Sequence, residues 1–364
     1  MADQETGNGL QAEISRRGFL EVAGTAAVGA GLAGSASAAS GRGIEEPKVE
    51  LVWGYLIHLG FNFWYDRMVP QWRDWCVSDH LVCETDFWIQ AVNRMAQKGI
   101  NMAVMDLGEG VQYRSHPELA VKGSWSRDQL RDELARMRSL GIEPIPKLNF
   151  SAAHDAWLGP YSRQVSTKAY YEVCGDIIAE VIELFGKPRF FHMGLDEENA
   201  NNQRDYAYTI IRKYELWWHD FNFFVDQVKK SGVHPWMWSD YLWENEVDFF
   251  GNVPTTVLQS NWYYGAEFSK DVPAAVAYNN LEIHGYDQIP TGSNYDNPLN
   301  FGETVEYCQK YLSPDKLKGF LQTTWFPTVS AARDRHFAAM DQVAHAKEKL
   351  VQVAQAQNPK APRA

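Results

Sequence analysis

The segment from Arg189 to Glu198 runs Arg-Phe-Phe-His-Met-Gly-Leu-Asp-Glu-Glu, a short apolar stretch that ends in three carboxylates. In a strand, successive side chains face opposite sides. Phe191, Met193 and Leu195 then share an apolar face suited to packing under helices. His192, Gly194 and Asp196 share the other face, and Glu197 falls just past the strand end. Two carboxylates held together repel, so at least one pKa must rise. A raised carboxyl is what general acid chemistry needs near neutral pH. The same residues also fit a plainer reading, in which acidic side chains start a helix and meet the positive end of its dipole. His192, midway up the strand, reads as a satisfied core group.

The elements that must position this pair are legible as apolar runs of strand length alternating with helix-periodic segments. Strands are expected at Val52–His58, Met102–Leu107, Glu143–Phe150, Arg189–Leu195, Pro235–Asp240, Thr256–Trp262, Leu281–Asp287 and Lys318–Trp325. Helices are expected between them, among them Phe87–Lys98, Ser126–Leu140, Lys168–Phe185, Tyr206–Lys230, Gly302–Tyr311 and Ser330–Leu350. Gly99, Gly141, Gly186 and Gly232 follow four of these, where left-handed C-caps belong. Eight βα units predict an α/β fold of the (β/α)8 TIM-barrel type. A doubly wound sheet is the other option, but no Gly-rich phosphate loop follows the first strand.

In such a barrel the chemistry sits at the C-terminal strand ends. Those ends carry His58; Asp106 and Glu109; Lys147 and Asn149; Asp196 and Glu197; Trp238 and Asp240; Asn261 and Trp262; Tyr286 and Asp287; and Trp325. Carboxylates, amides and indoles make a carbohydrate site, with rings stacking on sugar C–H faces and fixed polar groups bonding hydroxyls. The 14 tryptophans of the chain support this, since several lie at or near these ends.

The net charge of -12, without basic clusters, argues against nucleic-acid or anionic-membrane partners and favours neutral or cationic ligands. No Cys-x-x-Cys pair or His/Cys array points to zinc, and no metal or other cofactor is expected. Cys76 and Cys83 could close a small disulfide loop or stay as two thiols. Cys174 and Cys308 fall in helical patterns and read as small core residues. The oligomeric state is left open. At the N-terminus, Ser15-Arg16-Arg17-Gly18-Phe19-Leu20, an Ala/Gly-rich apolar stretch and Ala36-Ser37-Ala38 resemble a twin-arginine export signal with its cleavage site. The expected organisation is a signal over 1–38, a linker over 39–50, the barrel over 51–350 and a flexible tail over 351–364. The mature protein would be periplasmic or extracellular. No later stretch approaches the roughly 18 apolar residues of a spanning helix.

His192-Met193-Gly194-Leu195-Asp196-Glu197 resembles the His-x-Gly-Gly-Asp-Glu motif of the β-N-acetylhexosaminidases of glycoside hydrolase family 20, which also sits on the fourth strand. Pro146–His154 is similar to that family's Pro-Glu-Ile-Asp-x-Pro-Gly-His segment with one extra residue. Leu321–Trp325 is similar to its strand-eight segment ending in a pocket Trp. The resemblance implies substrate-assisted retention, in which the sugar's own 2-acetamido oxygen attacks the anomeric carbon. It makes Glu197 the general acid and base, and Asp196 the group that orients the acetamido N–H. Trp238, Trp262 and Trp325 would wall the pocket, Tyr263 or Tyr286 would bond the acetamido oxygen, and His154 would be a nearby hydrogen-bonding residue. His58, Asn149, Asp240 and Asp287 complete the expected carbohydrate-binding set.

Departures from the pattern concern the sugar rather than the acid. Strand one offers His58 and Phe61 where the family has an Asp and then an Arg. Asn149 replaces an Asp, and Trp325-Phe326-Pro327 lacks the carboxylate of Trp-x-Glu. A site built to bond hydroxyls discriminates strongly, so a different glycone or linkage is expected. Two other readings use the same residues. One is a retaining glycosidase with a protein nucleophile such as Asp287, which requires carboxyls about 5–5.5 Å apart. The other is a sugar-binding barrel without catalysis.

Overall fold

The computed structural model describes residues 51–357. The expected signal and linker lie outside the described residues, as does the tail beyond residue 357. Eight parallel strands form the barrel: β1 (Val52–His58), β2 (Met102–Asp106), β3 (Glu143–Lys147), β4 (Phe190–His192), β5 (His234–Trp238), β6 (Leu258–Ser260), β7 (Thr291–Ser293) and β8 (Gly319–Thr323). Their order is β6-β5-β4-β3-β2-β1-β8-β7. Between β6 and β7 the ring is closed only by single bridges, Gln259 to Gln288 and Trp262 to Thr291. Helices follow the strands: α1 (Thr85–Gln97), α2 (Arg127–Ser139), α3 (Lys168–Leu184), α4 (Tyr214–Lys230), α5 (Glu246–Asn252), α6 (Pro273–Ile283), α7 (Asn300–Tyr311) and α8 (Arg333–Gln357). The protein is a (β/α)8 TIM barrel.

Alternation along each strand splits the core into two layers. On β1, Tyr55 and Ile57 face the helices, whereas Leu56 joins Val104, Ile145 and Leu321 in the barrel interior. Full burial of each such apolar side chain contributes about 1.5–3 kcal/mol. The N-cap hydroxyls of Ser126 and Thr167 accept from the backbone of Gln129 and Tyr170, which fixes where α2 and α3 begin. The four glycines expected as C-caps all have positive φ, from 68° to 77°.

Strand register creates a polar layer below the mouth. His58 pairs with Asp106, Asp106 with Lys147, and Lys147 with His192. The wholly buried Lys147 donates to Asp106 Oδ2, and His58 Nδ1 lies 3.6 Å from the same oxygen. Despite its burial, Asp106 is held below the usual carboxylate range by the Lys147 charge and the His58 contact. Lys147 balances the Asp106 charge, and burial lowers the His58 pKa, so His58 is the neutral neighbour of this pair.

Two expectations on elements fail. Leu281–Asp287 is not the seventh strand: α6 runs to Ile283 and a turn with Gly285 at φ 81° follows. The true β7 is Thr291-Gly292-Ser293, too short and too polar to show an apolar pattern. It is held by its backbone ladder and by hydroxyls, with Ser293 Oγ donating to the Thr323 carbonyl at 3.2 Å and Thr323 Oγ1 donating to the Gly292 carbonyl at 3.1 Å. The fourth helix starts at Tyr214 rather than Tyr206, which leaves residues 193–213 as a long loop over the barrel mouth. At the C-terminus α8 continues to Gln357, so the first part of the expected tail is helical.

Cys76 and Cys83 are free thiols, and no disulfide joins them. Cys76 Sγ accepts from Val69 N at 3.1 Å and donates to the Trp72 carbonyl at 3.2 Å, which orders the loop after β1 by hydrogen bonds. Cys174 and Cys308 are buried in the core as expected. No helix among the described residues is long and apolar enough to cross a membrane.

Candidate active site

After β4 the chain turns sharply. Gly194, Leu195 and Glu197 have φ of 72°, 73° and 57°. Non-glycine residues in this region cost of order 1–3 kcal/mol each and persist only when their surroundings hold them. Here the surroundings are specific. Asn149 Oδ1 accepts from Leu195 N at 3.1 Å, and Asp240 Oδ2 accepts from Glu197 N at 2.8 Å. Glu198, next in the chain, is gripped by Arg212 and accepts from Ala152 N at 3.0 Å. Arg212 also reaches Asp220 at 3.0 Å and the Phe150 carbonyl at 2.8 Å. This buried ion cluster ties the 193–213 loop to the barrel.

The turn delivers Asp196 and Glu197 to one side of a cavity of about 320 Å³, at the small end of the range for ligand pockets. Trp238, Trp262 and Trp325 line its deep part together with Tyr264. Trp325 Nε1 donates to Tyr264 Oη at 3.0 Å. Trp262 Nε1 donates to Asp240 Oδ1 at 3.3 Å. Trp64, Tyr65, Trp72 and Trp75 from the loop after β1, with Tyr295 and Asp296 from the loop after β7, form the outer part.

His154 joins the two carboxylates. Its Nε2 lies 3.1 Å from Glu197 Oε2 and 3.5 Å from Asp196 Oδ2, and its Nδ1 lies 3.3 Å from the Phe63 carbonyl. Burial alone would lower the His154 pKa, but the charges of Asp196 and Glu197 outweigh it and raise it to about 9. Asp196 is raised by burial and by the neighbouring Glu197, against the opposing pull of His154 and of Asn149, whose Nδ2 donates to Asp196 Oδ1 at 2.8 Å. Glu197 moves the other way: burial would raise it, but the hydrogen bond and charge of His154 bring it below its ordinary value. One carboxyl of the pair does rise, but it is Asp196 and not Glu197, the expected general acid. Asp240 is raised as well, to about 8, by burial and by the Asp196 charge.

The ligand-type atoms of His154, Asp196 and Glu197 lie within 4.8 Å of one another, an arrangement that could hold a cation. His154 keeps its second proton up to about pH 9, so a metal would have to displace the proton that bridges the group. The cluster is internally satisfied as a charged hydrogen-bond network.

Of the residues singled out from sequence, Asp196, Glu197, Trp238, Trp262 and Trp325 line the cavity, and Asn149, His154 and Asp240 support it. His58 lies beneath, packed against Trp325 at a centroid distance of 5.9 Å. His192 is core, its ring 4.3 Å from that of Trp238. Three residues do not belong to the cavity. Tyr263 turns away to pack on Phe268, and Tyr264, the next residue, points in. Tyr286 is buried and donates to the Val253 carbonyl at 2.5 Å. Asp287 is 44% exposed and pairs with Lys316 and Lys318, which precede β8, so it sits at the opposite end of the barrel. Both errors follow from misplacing β7. Sequence reading also missed the aromatic loop after β1, although its Trp-rich composition between two elements was a visible signal.

No protein-family model matches the chain, and no curated protein matches it. Solved structures do. The catalytic modules of a pneumococcal exo-β-D-N-acetylglucosaminidase of family GH20 superpose with a TM-score of 0.56 at 14% identity, covering 87% of this chain and 89% of theirs. A β-N-acetylhexosaminidase from Bacteroides fragilis gives 0.54 at 14% identity, over 84% of this chain and 70% of that one. A GH20 exo-β-N-acetylglucosaminidase from Vibrio harveyi gives 0.54 at 13% identity, over 84% of this chain, which spans 58% of the Vibrio chain. The shared feature is the barrel fold.

Proposed function

We propose that the protein is a glycoside hydrolase that cleaves β-linked 2-acetamido sugars by substrate-assisted retention. One observation carries this reading: Asp196 and Glu197 are held side by side, with His154 between them, at the edge of an indole-walled cavity at the C-terminal barrel mouth. The fold shared with N-acetylhexosaminidases of family GH20 supports it. The twin-arginine pattern near residue 16 adds export to the periplasm or exterior to the same reading.

In this mechanism the sugar ring stacks among Trp238, Trp262 and Trp325. The acetamido N–H donates to Asp196, which turns the acetamido oxygen toward the anomeric carbon. Tyr264, whose oxygen already accepts from Trp325, has its own O–H to give to that oxygen. Glu197 protonates the glycosidic oxygen. The carbon–oxygen bond breaks with its electron pair going to the leaving group, while the acetamido oxygen bonds to the same carbon. The resulting oxazolinium is cationic, and the ionised Asp196 beside it stabilises that charge. Water, deprotonated by Glu197, then opens the ring with net retention.

In the resting site the proton sits on His154 rather than on Glu197. His154 Nε2 lies 3.1 Å from Glu197 Oε2 and holds Glu197 ionised in the empty site, so Glu197 takes up its proton once a bound glycoside has replaced that contact. Asp287 lies at the far end of the barrel and cannot serve as a protein nucleophile opposite Glu197.

The decisive experiment is turnover of aryl β-N-acetylglucosaminides and β-N-acetylgalactosaminides beside plain aryl glycosides, with and without a thiazoline inhibitor. Cleavage of the acetamido substrates, blocked by thiazoline, is expected. Cleavage of plain glycosides alone, or sugar binding without any turnover, refutes the mechanism. Glu197→Gln should lose about 10²–10⁴-fold on poor leaving groups. Full activity in that variant removes Glu197 as the acid.

A further inference from the structure

The cavity lining is aromatic and acidic. It comprises six Trp, three Tyr and three carboxylates, and no Lys, Arg or His lines it among the described residues. Arg335 is turned toward the Tyr295 backbone carbonyl, 3.4 Å away, and stacks on Phe326. Arg204 lines an adjoining cleft and pairs with Asp205 at 3.6 Å. Aromatic faces carry negative potential, and a cation over them is attracted. The cationic His154 behind Glu197 balances the inner carboxylates, whereas the outer part, edged by indoles, phenols and Asp296, keeps negative potential, a sign shared by the chain's net charge of -12.

The lining also divides by depth. Trp238 and Asp196 are buried, as the acetamido-bearing ring requires. The outer part, formed by Trp64, Tyr65, Trp72, Trp75, Tyr295 and Asp296, is more open, with Trp72 38% exposed and Asp296 exposed. Trp72 and Trp75 meet edge to face at 6.3 Å, so they present ring surfaces in two directions. Asp296 adds a carboxylate for which no ion-pair partner is found among the described residues.

We propose that the outer subsite takes a sugar bearing a free amine, so that the substrate is a partly de-N-acetylated β-linked aminosugar chain. The inference rests on the hydrolase reading for the inner subsite. The acetamido ring occupies the deep pocket and supplies the internal nucleophile. The next ring, on the leaving-group side, places its ammonium among the outer indoles and beside Asp296. A fully acetylated ring makes the same stacking contacts but brings no charge to meet the field.

The test titrates the Glu197→Gln protein with two matched β-linked disaccharides of N-acetylglucosamine. One carries acetamido groups on both rings, and the other a free amine on the reducing-end ring, at a pH where that amine is protonated. The amine-bearing sugar should bind about tenfold tighter, the order that one cation–aromatic contact with a carboxylate beside it supplies. The preference should shrink at high salt. It should also fall several-fold in Glu197→Gln proteins that carry Asp296→Asn or Trp72→Ala, both at exposed positions where unchanged melting confirms the fold. Equal affinities, tighter binding of the diacetylated sugar, no binding of either, or a preference untouched by Asp296→Asn each overturn the inference. Turnover of aryl acetamido glycosides by the native protein separates it from its parent. Turnover without amine preference removes only the outer-subsite assignment, and amine preference without turnover removes only the hydrolase mechanism.

Discussion

Replacing Gly194 with Ala tests how the acid pair is held. A Cβ at Gly194 would lie 2.0 Å from Asn149 Oδ1 and 2.8 Å from Asn149 Cα, at a backbone φ of 72°. The first contact could be relieved by swinging the Asn149 side chain, but the second is backbone. The left-handed conformation alone costs Ala about 1–2 kcal/mol. Moving the Asn149 amide breaks its bond to the Asp196 carboxylate, about 1.5–3 kcal/mol for a charged partner. It also strands the buried Leu195 N–H, about 1–3 kcal/mol more. The total of about 3.5–8 kcal/mol is a large part of the roughly 5–15 kcal/mol that a domain has. At about 2 °C per kcal/mol for a chain of this size, the melting temperature should fall by about 7–16 °C. Activity on an aryl acetamido glycoside, assayed well below that melting point, should fall more than the folded fraction does, because Asp196 loses its fixed orientation. A variant that melts within a degree or two of the native protein, or keeps native kcat, refutes the claim that Asn149 and the turn at Gly194 position the pair.

Other predictions use the same network. His154 is raised to about 9 from 6.5, so the stability it contributes is complete below 6.5 and is lost as pH rises through 9. Asp240, raised to about 8, holds its proton in the folded state after the unfolded chain has released it, so stability also falls as pH rises from about 4 to 8. Thermal melts should therefore decline steadily from weakly acidic to alkaline pH, and Asp240→Asn should flatten the part below 8; a native protein that gains stability over that range contradicts both assignments. Asp287→Asn should leave kcat/KM unchanged and stability within about 1 kcal/mol, since its lysine partners are at the surface; lost activity there would restore the protein-nucleophile mechanism. Arg212→Met leaves Glu198 and Asp220 buried without their cation and should cost about 3–5 kcal/mol in chemical denaturation; a loss under 1 kcal/mol would show that the loop is anchored elsewhere.

The barrel was readable because seven of its strands carry apolar side chains and four of the intervening helices end in glycine. β7 was not, because three small polar residues buried on both faces draw their stability from the ladder and from hydroxyl bonds to β8. Its misplacement had a consequence at the site. It promoted Tyr286 and Asp287 to the rim and hid Tyr295 and Asp296, which belong there. The Tyr263 error was smaller in kind. Two adjacent tyrosines in a loop look alike in sequence, and only the loop's path decides which of them turns inward.

The Asp196–Glu197 pair, the indoles that accompany it and the barrel class all follow from local chemistry, since residue type and spacing act over a few positions along the chain. The protonation pattern does not. His154 lies 42 positions before Asp196 and Asp240 lies 44 after it, yet these groups decide which carboxyl is raised and where the proton rests, because electrostatics act through space at a few ångströms. Local pattern marked out an acid pair. Tertiary packing lowered Glu197, raised Asp196, and gathered the aromatic outer wall from two loops more than two hundred residues apart.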